Sequence, residues 1–243
     1  MELRRVTFGP ADFSAASLCR FWIERCAFSG STFGGTDLGN VSEHGSEFRD
    51  CRFVKSSFRN AHLGYRGSRF VNTIFEGVDF TRAGFLRPEF DDCVFSRCKL
   101  DGCDFNGSSF ARCRFTGRLR DVWFRGGFSH QDQVSSYGQP RPNRMVDVSF
   151  EHAILQESTF SDHCDLSTVR IPADGRHALI GRWAERLKDL QEKARLWPEA
   201  ATRAGDTFAG VHLAPARSQD WFLLTWAYLR LTLLSVALRL ASA

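Results

Sequence analysis

Several things are scarce in this chain of 243 residues. There are 3 Tyr, 2 Met and 7 Pro, against 23 Phe. No Cys-x-x-Cys and no paired His accompany the eight Cys, which argues against a zinc site. No Gly-rich phosphate loop, no His-Glu-x-x-His and no Gly-x-Ser-x-Gly occurs. His163-Cys164-Asp165 is the one local Cys-His pair, and the spacing below turns Cys164 inward, away from any substrate. No enzyme, no cofactor and no metal is expected. The opening MELRRVTFGPADF has no apolar h-region, which points to a reducing cytoplasm and free thiols. The net charge of +4 is small, and residues 1–117 hold 16 basic and 14 acidic side chains. That is no concentrated footprint for direct nucleic-acid binding.

What the chain has in excess is order. From Phe70 to Phe115 every fifth residue is large and apolar: Phe70, Phe75, Phe80, Phe85, Phe90, Phe95, Leu100, Phe105, Phe110 and Phe115. Two places before nearly all of them stands a small residue, such as Ser68, Thr73, Val78, Ala83, Cys93, Cys98 or Cys103. A period of five is neither helical nor that of a strand. A fixed short repeat marks a solenoid. If the backbone turns one corner per repeat and closes after four, each coil takes about 20 residues and stacks at roughly 4.8 Å. The central residue and the small residue two before it then share the inner face. Eighteen of the 23 Phe fall at central positions, so their abundance is structural. Cys26, Cys51, Cys93, Cys98, Cys103, Cys113 and Cys164 fall at the small position and read as core. Cys93 and Cys113, one coil apart, should stack.

The runs CVFSRCKLDGCDFNGSSFARCRF (93–115) and CRFVKSSFRNAHL (51–63) resemble the pentapeptide-repeat family. The resemblance covers most of residues 3–171. It implies an all-β solenoid, a right-handed quadrilateral β-helix, with a C-terminal α-helical cap and tail. It also implies a binding or scaffold role. Some members of the family bind type II topoisomerases such as DNA gyrase and topoisomerase IV, protect them from inhibitors and so confer antibiotic resistance. They do so by resembling duplex DNA, and they dimerise through a C-terminal helix. Such members are acidic; this chain is basic, with a near-neutral solenoid.

In chain order, residues 1–172 read as the repeat domain. Leu3 to Leu63 keep step except at Glu43, where a charge on an apolar axis would be costly. An outward bulge at Val41–Gly45 is therefore expected to leave Glu43 and His44 in solvent. Leu63 to Phe70 is two residues too long, and GYRGSR (64–69) reads as a bulge at a corner with Tyr65 exposed. The pattern lapses at 119–147, within which Val122, Trp123 and Phe124 suggest one further wall or a cap. Phe150 resumes 35 residues after Phe115, so the lapse reads as a loop thrown from one edge of a continuous helix. Arg125, His130, Tyr137, Arg141 and Arg144 are its candidate contacts for a protein partner.

Leu179, Ile180, Trp183, Leu187 and Leu190 predict an amphipathic capping helix in 173–197, with Asp174 as its N-cap. Residues 198–220 read as a linker. The segment 221–243 reads as an apolar helix, with Trp221, Phe222, Trp226, Leu229 and Leu233 as contacts to a second copy, as a homodimer, or to a membrane.

Overall fold

The structure, a computed structural model, describes residues 1–128, 130 and 132–226, leaving aside the side chains of 132 and 200. It divides into two units, Met1–Pro172 and Ala173–Ala243.

The first unit is a parallel β-solenoid with four walls. Its first wall is an eight-stranded sheet holding Glu2–Arg4, Trp22–Glu24, Ser42–His44, His62–Tyr65, Gly84–Leu86, Asp104–Asn106, Trp123–Arg125 and Thr159–Ser161. The second and third walls are six-stranded parallel sheets. The fourth is a column of single bridges, Ser17↔Asp37↔Ser57↔Asp79↔Lys99. Register follows the repeat, Phe70 pairing with Phe90 and Phe75 with Phe95.

Three devices hold the stack together. Central rings form columns: Phe8, Phe28, Phe48, Phe70, Phe90 and Phe110 lie face to face at centroid separations of 4.9, 4.8, 4.9, 5.0 and 5.0 Å. Neighbouring columns meet edge to face, as Phe90 does Phe95 at 5.3 Å and 71°. The small position supplies the second device, a side-chain donor to the coil below. Thr73 Oγ1 donates to Phe48 O at 3.0 Å, and the Cys93 and Cys98 thiols donate to Phe70 O and Phe75 O at 3.3 Å. Burial pushes the thiols of Cys98 and Cys103 up to about 12. Third, corner residues two after the centre take left-handed backbone: Arg20, Arg25, Asn40, Asp50, Lys55 and Asn60 have φ of 61°, 52°, 55°, 54°, 52° and 54°. There each N–H reaches the carbonyl of the next coil, as in Lys55 N to Glu76 O at 2.8 Å. Asn, Asp and Gly suit that conformation; Arg and Lys tolerate it because their long stems stay outside.

Glu43 departs from expectation. The chain does not bulge outward there; Ser42–His44 is a regular strand, and Glu43 is 1% exposed on the axis. Its carboxyl accepts from two backbone donors, Ser46 N at 2.8 Å and Gly64 N at 3.0 Å. The surplus residues at 64–67 supply the second of these, so the two irregularities are one feature.

The lapse is also narrower than 119–147. Arg114–Arg120 is one strand paired with Ser149–Gln156, and Trp123–Arg125 extends the first wall. Phe124 stacks between Phe105 at 5.2 Å and Phe160 at 5.1 Å. Phe150 stacks on Phe115 at 4.9 Å, so the coil closes around the excursion.

The second unit corrects four expectations. His177–Ile180 is not helical but a strand antiparallel to Phe222–Thr225. Asp174 therefore caps a turn, accepting from Arg176 N at 2.9 Å, rather than a helix. Counting the short α1 of the excursion (Asp132–Tyr137) first, α2 is Trp183–Ala194. It starts only after Arg182, whose left-handed φ of 52° breaks the run. The expected linker is α3, Glu199–Leu213. Its small residues hid the helix: Gly205 lies against Ala194, and Phe208 and Ala209 join Trp183, Leu187 and Leu190 in one core. The expected helix at 221–243 begins as a strand, with Phe222 stacked on Trp183 at 4.4 Å. No described helix is long and apolar enough to cross a membrane.

Candidate interaction surface

On a strand the residues flanking the centre face outward. The first wall carries aromatic rings there. Trp22 and His44 stack at 4.0 Å and 17°, and Tyr65 follows His44 at 5.2 Å. His62 meets Tyr65 at 6.1 Å, and Tyr137 meets it edge-on at 5.3 Å and 86°. Polar groups fix this stripe. Trp22 Nε1 donates to Glu24 Oε2 at 3.2 Å, which holds the Glu24 carboxyl below its usual range, helped by Arg4 and Arg66. Ser42 Oγ lies 2.9 Å from His44 Nε2, and burial lowers the pKa of that ring.

The excursion folds onto the same wall. Arg87 Nη1 donates to Tyr137 O at 2.8 Å and Gln139 O at 3.2 Å. Asn106 Nδ2 donates to Gln133 Oε1 at 3.2 Å. Phe128 and Pro140 close over Gly107, where a Cβ would meet the Phe128 ring at 2.5 Å. Leu86 and Asn106, which face outward on this wall, are buried. The return is pinned by Asn143, whose Oδ1 accepts from Phe110 N at 3.0 Å and whose Nδ2 donates to Cys164 Sγ at 3.4 Å.

The expected contact residues divide. Arg125 is internal, its side chain 13% exposed, bonded to Asp104 and Asp162 and lying over the Trp123 ring at 3.8 Å. Tyr137 joins the stripe. His130 is exposed, its N–H bonded to Gln133 Oε1 at 3.3 Å. Arg141 pairs with Glu89 at 3.0 Å. Arg144 is exposed and borders a groove of the second wall with Arg69, Glu89 and Asp91. In the second unit Trp221 lies against Gly181, and Trp226 packs on the core. Leu229 and Leu233 lie outside the described residues. Sequence reasoning placed His44 and Tyr65 at the surface but missed Trp22 and the stripe that the three form. Aligning repeats four at a time would have shown them on one wall, once the two surplus residues are allowed for.

The walls are laced with ion pairs. Glu76 bridges Arg52 and Arg97, both at 2.9 Å, Asp79 bridges Arg59 and Lys99, and Asp101 pairs with Arg120 at 2.9 Å. Glu47 and Glu89 share Arg69. Carboxylates at these positions are neutralised by cations one coil away.

Family models for pentapeptide repeats match residues 44–84, as nine copies, and 89–117, as eight copies. A search of curated proteins finds no match. Among solved structures, QnrB1, a plasmid-mediated fluoroquinolone resistance protein, is similar at 16% identity and a TM-score of 0.35, covering 66% of this chain and 84% of its own. HetL, a pentapeptide repeat protein involved in heterocyst differentiation regulation in the cyanobacterium Nostoc sp. strain PCC 7120, aligns at 11% identity and a TM-score of 0.33, covering 71% and 90%. A pentapeptide repeat protein of the Arabidopsis thaliana thylakoid lumen aligns at 18% identity and a TM-score of 0.23, covering 52% and 73%.

Proposed function

Because this chain is a pentapeptide-repeat protein, with its axis filled by stacked rings, we propose that it is a binding scaffold whose first wall and attached excursion receive a protein partner. The observation that carries this is the stripe Trp22, His44, Tyr65, Tyr137. A wall needs only polar outer residues to stay in solution, yet this one concentrates aromatic rings on successive coils and adds the excursion beside them. Aromatic residues are enriched at the centres of protein interfaces. A photo-crosslinking residue at position 22 or 137 should capture a defined partner from host extract, whereas the same residue at 57, on the fourth wall, should not. Equal capture at all three positions would sink the reading.

The topoisomerase reading gains less support. Duplex DNA carries one negative charge per roughly 1.7 Å, and a mimic needs an uninterrupted acidic stripe. Here Glu47, Glu76, Asp79 and Glu89 are each bridged by Arg or Lys. A gyrase supercoiling assay with a quinolone poison should show no rescue by this protein; rescue at stoichiometric protein would reinstate mimicry.

A further inference from the structure

Charge is not spread evenly over the walls. Of the 16 basic and 14 acidic side chains in residues 1–117, seven basic and two acidic lie on the outer side of the first wall and its two corner columns as far as Arg87. The remainder of that stretch has more acids than bases. The near-neutral solenoid is thus an average over walls of unlike charge.

The corners make the difference. Nine residues turn the chain into or out of the first wall between Arg5 and Arg87, all with left-handed backbone. Three are Asn40, Gly45 and Asn60, which suit that conformation. The other six are Arg5, Arg20, Arg25, Arg66, Arg82 and Arg87, with φ of 52°, 61°, 52°, 67°, 60° and 64°. An arginine gains nothing locally there, since Asn or Gly turns the chain with less strain. All but Arg87 are exposed. Among the described residues, Arg5, Arg20, Arg25 and Arg82 form no ion pair within 4.0 Å. The two acids of the wall are already engaged: Glu24 by Trp22 Nε1, Arg4 and Arg66, and Glu2 by Arg4 at 3.1 Å.

The aromatic stripe runs between these two arginine columns. Trp22 and His44 stack on successive coils at 4.0 Å, and Tyr137 stands edge-on to Tyr65. Rings stacked along the axis turn their edges outward. A ring edge carries the positive end of the quadrupole and receives oxygen, whereas a nucleobase needs an open ring face.

We propose that the first wall receives an acidic, extended polypeptide segment of its partner, with carboxylates on the corner arginines and the chain laid along the ring edges. This rests on the first wall being the binding face. Arg5 and Arg87 stand four coils apart, about 19 Å at roughly 4.8 Å per coil, the span of about six residues of extended chain. Guanidinium forks take carboxylates bidentately. Exposed pairs are weak singly, so affinity comes from several together and falls with salt.

Fluorescence anisotropy of the full chain with a labelled Glu-rich peptide tests this, beside its Gln counterpart and a single-stranded oligonucleotide of equal charge. The Glu peptide should bind, lose affinity as salt rises, and bind at least about tenfold more tightly than either of the others. Arg25→Asn with Arg82→Asn should weaken it about tenfold. Asn suits both corners, so melting should not fall. Lys55→Asn with Arg97→Asn removes the same charge from corners of another wall and should leave binding unchanged. Equal binding of the Gln peptide, tighter binding of the oligonucleotide, or equal weakening by the two double variants would overturn the acidic partner. So would crosslinked capture at position 22 that is indifferent to salt and to the Arg25→Asn, Arg82→Asn change, an outcome that leaves the first wall as the binding face. Absence of any specific capture there removes that face itself, and the acidic partner with it.

Discussion

Arg125 Nε and Asp104 Oδ1 lie 2.9 Å apart across two coils of the first wall, with the guanidinium 3.8 Å above the Trp123 ring. The same side chain reaches Asp162 at 3.3 Å on the following coil. An arginine at the mouth of the excursion, which suggested partner contact in sequence, is instead a clamp across three coils.

Arg125→Ala should therefore act on stability. It leaves Asp104, whose pKa burial already raises, without its cation. Charge-assisted bonds of this kind are worth about 1.5–3 kcal/mol, and thermal melts should show a loss of that order. Arg144→Ala, at an exposed residue, should melt within about 0.5 kcal/mol of the unsubstituted protein.

Glu43 also predicts a stability profile. Burial puts the folded Glu43 pKa near 7, above its ordinary value of 4.5. Between those two values the native state binds a proton that the unfolded chain does not. The contribution is complete below about pH 4.5 and is lost as pH rises through about 7. Urea titrations should show Glu43→Gln closing part of the gap in stability between pH 5 and pH 8. Glu43→Leu should be destabilising by about 1–3 kcal/mol at pH 5, since it orphans the N–H groups of Ser46 and Gly64.

Seven of the eight cysteines should be inert in the native fold. None of the eight is in a disulfide, seven are buried, and the thiols of Cys51 and Cys164 are pushed up to about 11 and about 12. Thiol chemistry needs the thiolate. A disulfide reagent at pH 8 should modify Cys19, the half-buried one, promptly and the other seven only on unfolding. Rapid modification of more than one thiol in folded protein would contradict the packing.

Corner conformation gives a fourth expectation. Lys55 has φ of 52°. Lys55→Gly relieves the left-handed strain but adds freedom to the unfolded chain, so its melting point should stay close to that of the unsubstituted protein. Lys55→Val puts a β-branched residue where L side chains crowd the backbone, at a cost of about 1–2 kcal/mol. Paired melts of the two variants separate corner strain from loss of the lysine.

The repeat was legible because a closed four-sided coil returns each side chain to the same environment every five residues. Phe, Leu and Cys positions could thus be placed without coordinates. The second unit was harder to read. Residues 199–213 are rich in Ala, Gly and Thr, and their helical face emerges only where Gly205 and Phe208 meet α2. His177–Ile180 shares an apolar pattern with the helix after it, and only pairing with Phe222–Thr225 makes it a strand.

Sequence alone determined the solenoid, its inner and outer faces and the inward turn of the cysteines, because each follows from a local period. Tertiary structure decided what the irregularities mean. Glu43 and Gly64 stand 21 residues apart, and neither explains itself. Stacked, the surplus turn of one coil donates its N–H to the misfit carboxyl of the coil before it. Such a bond is set by the offset between coils, and a one-dimensional period carries no record of that offset.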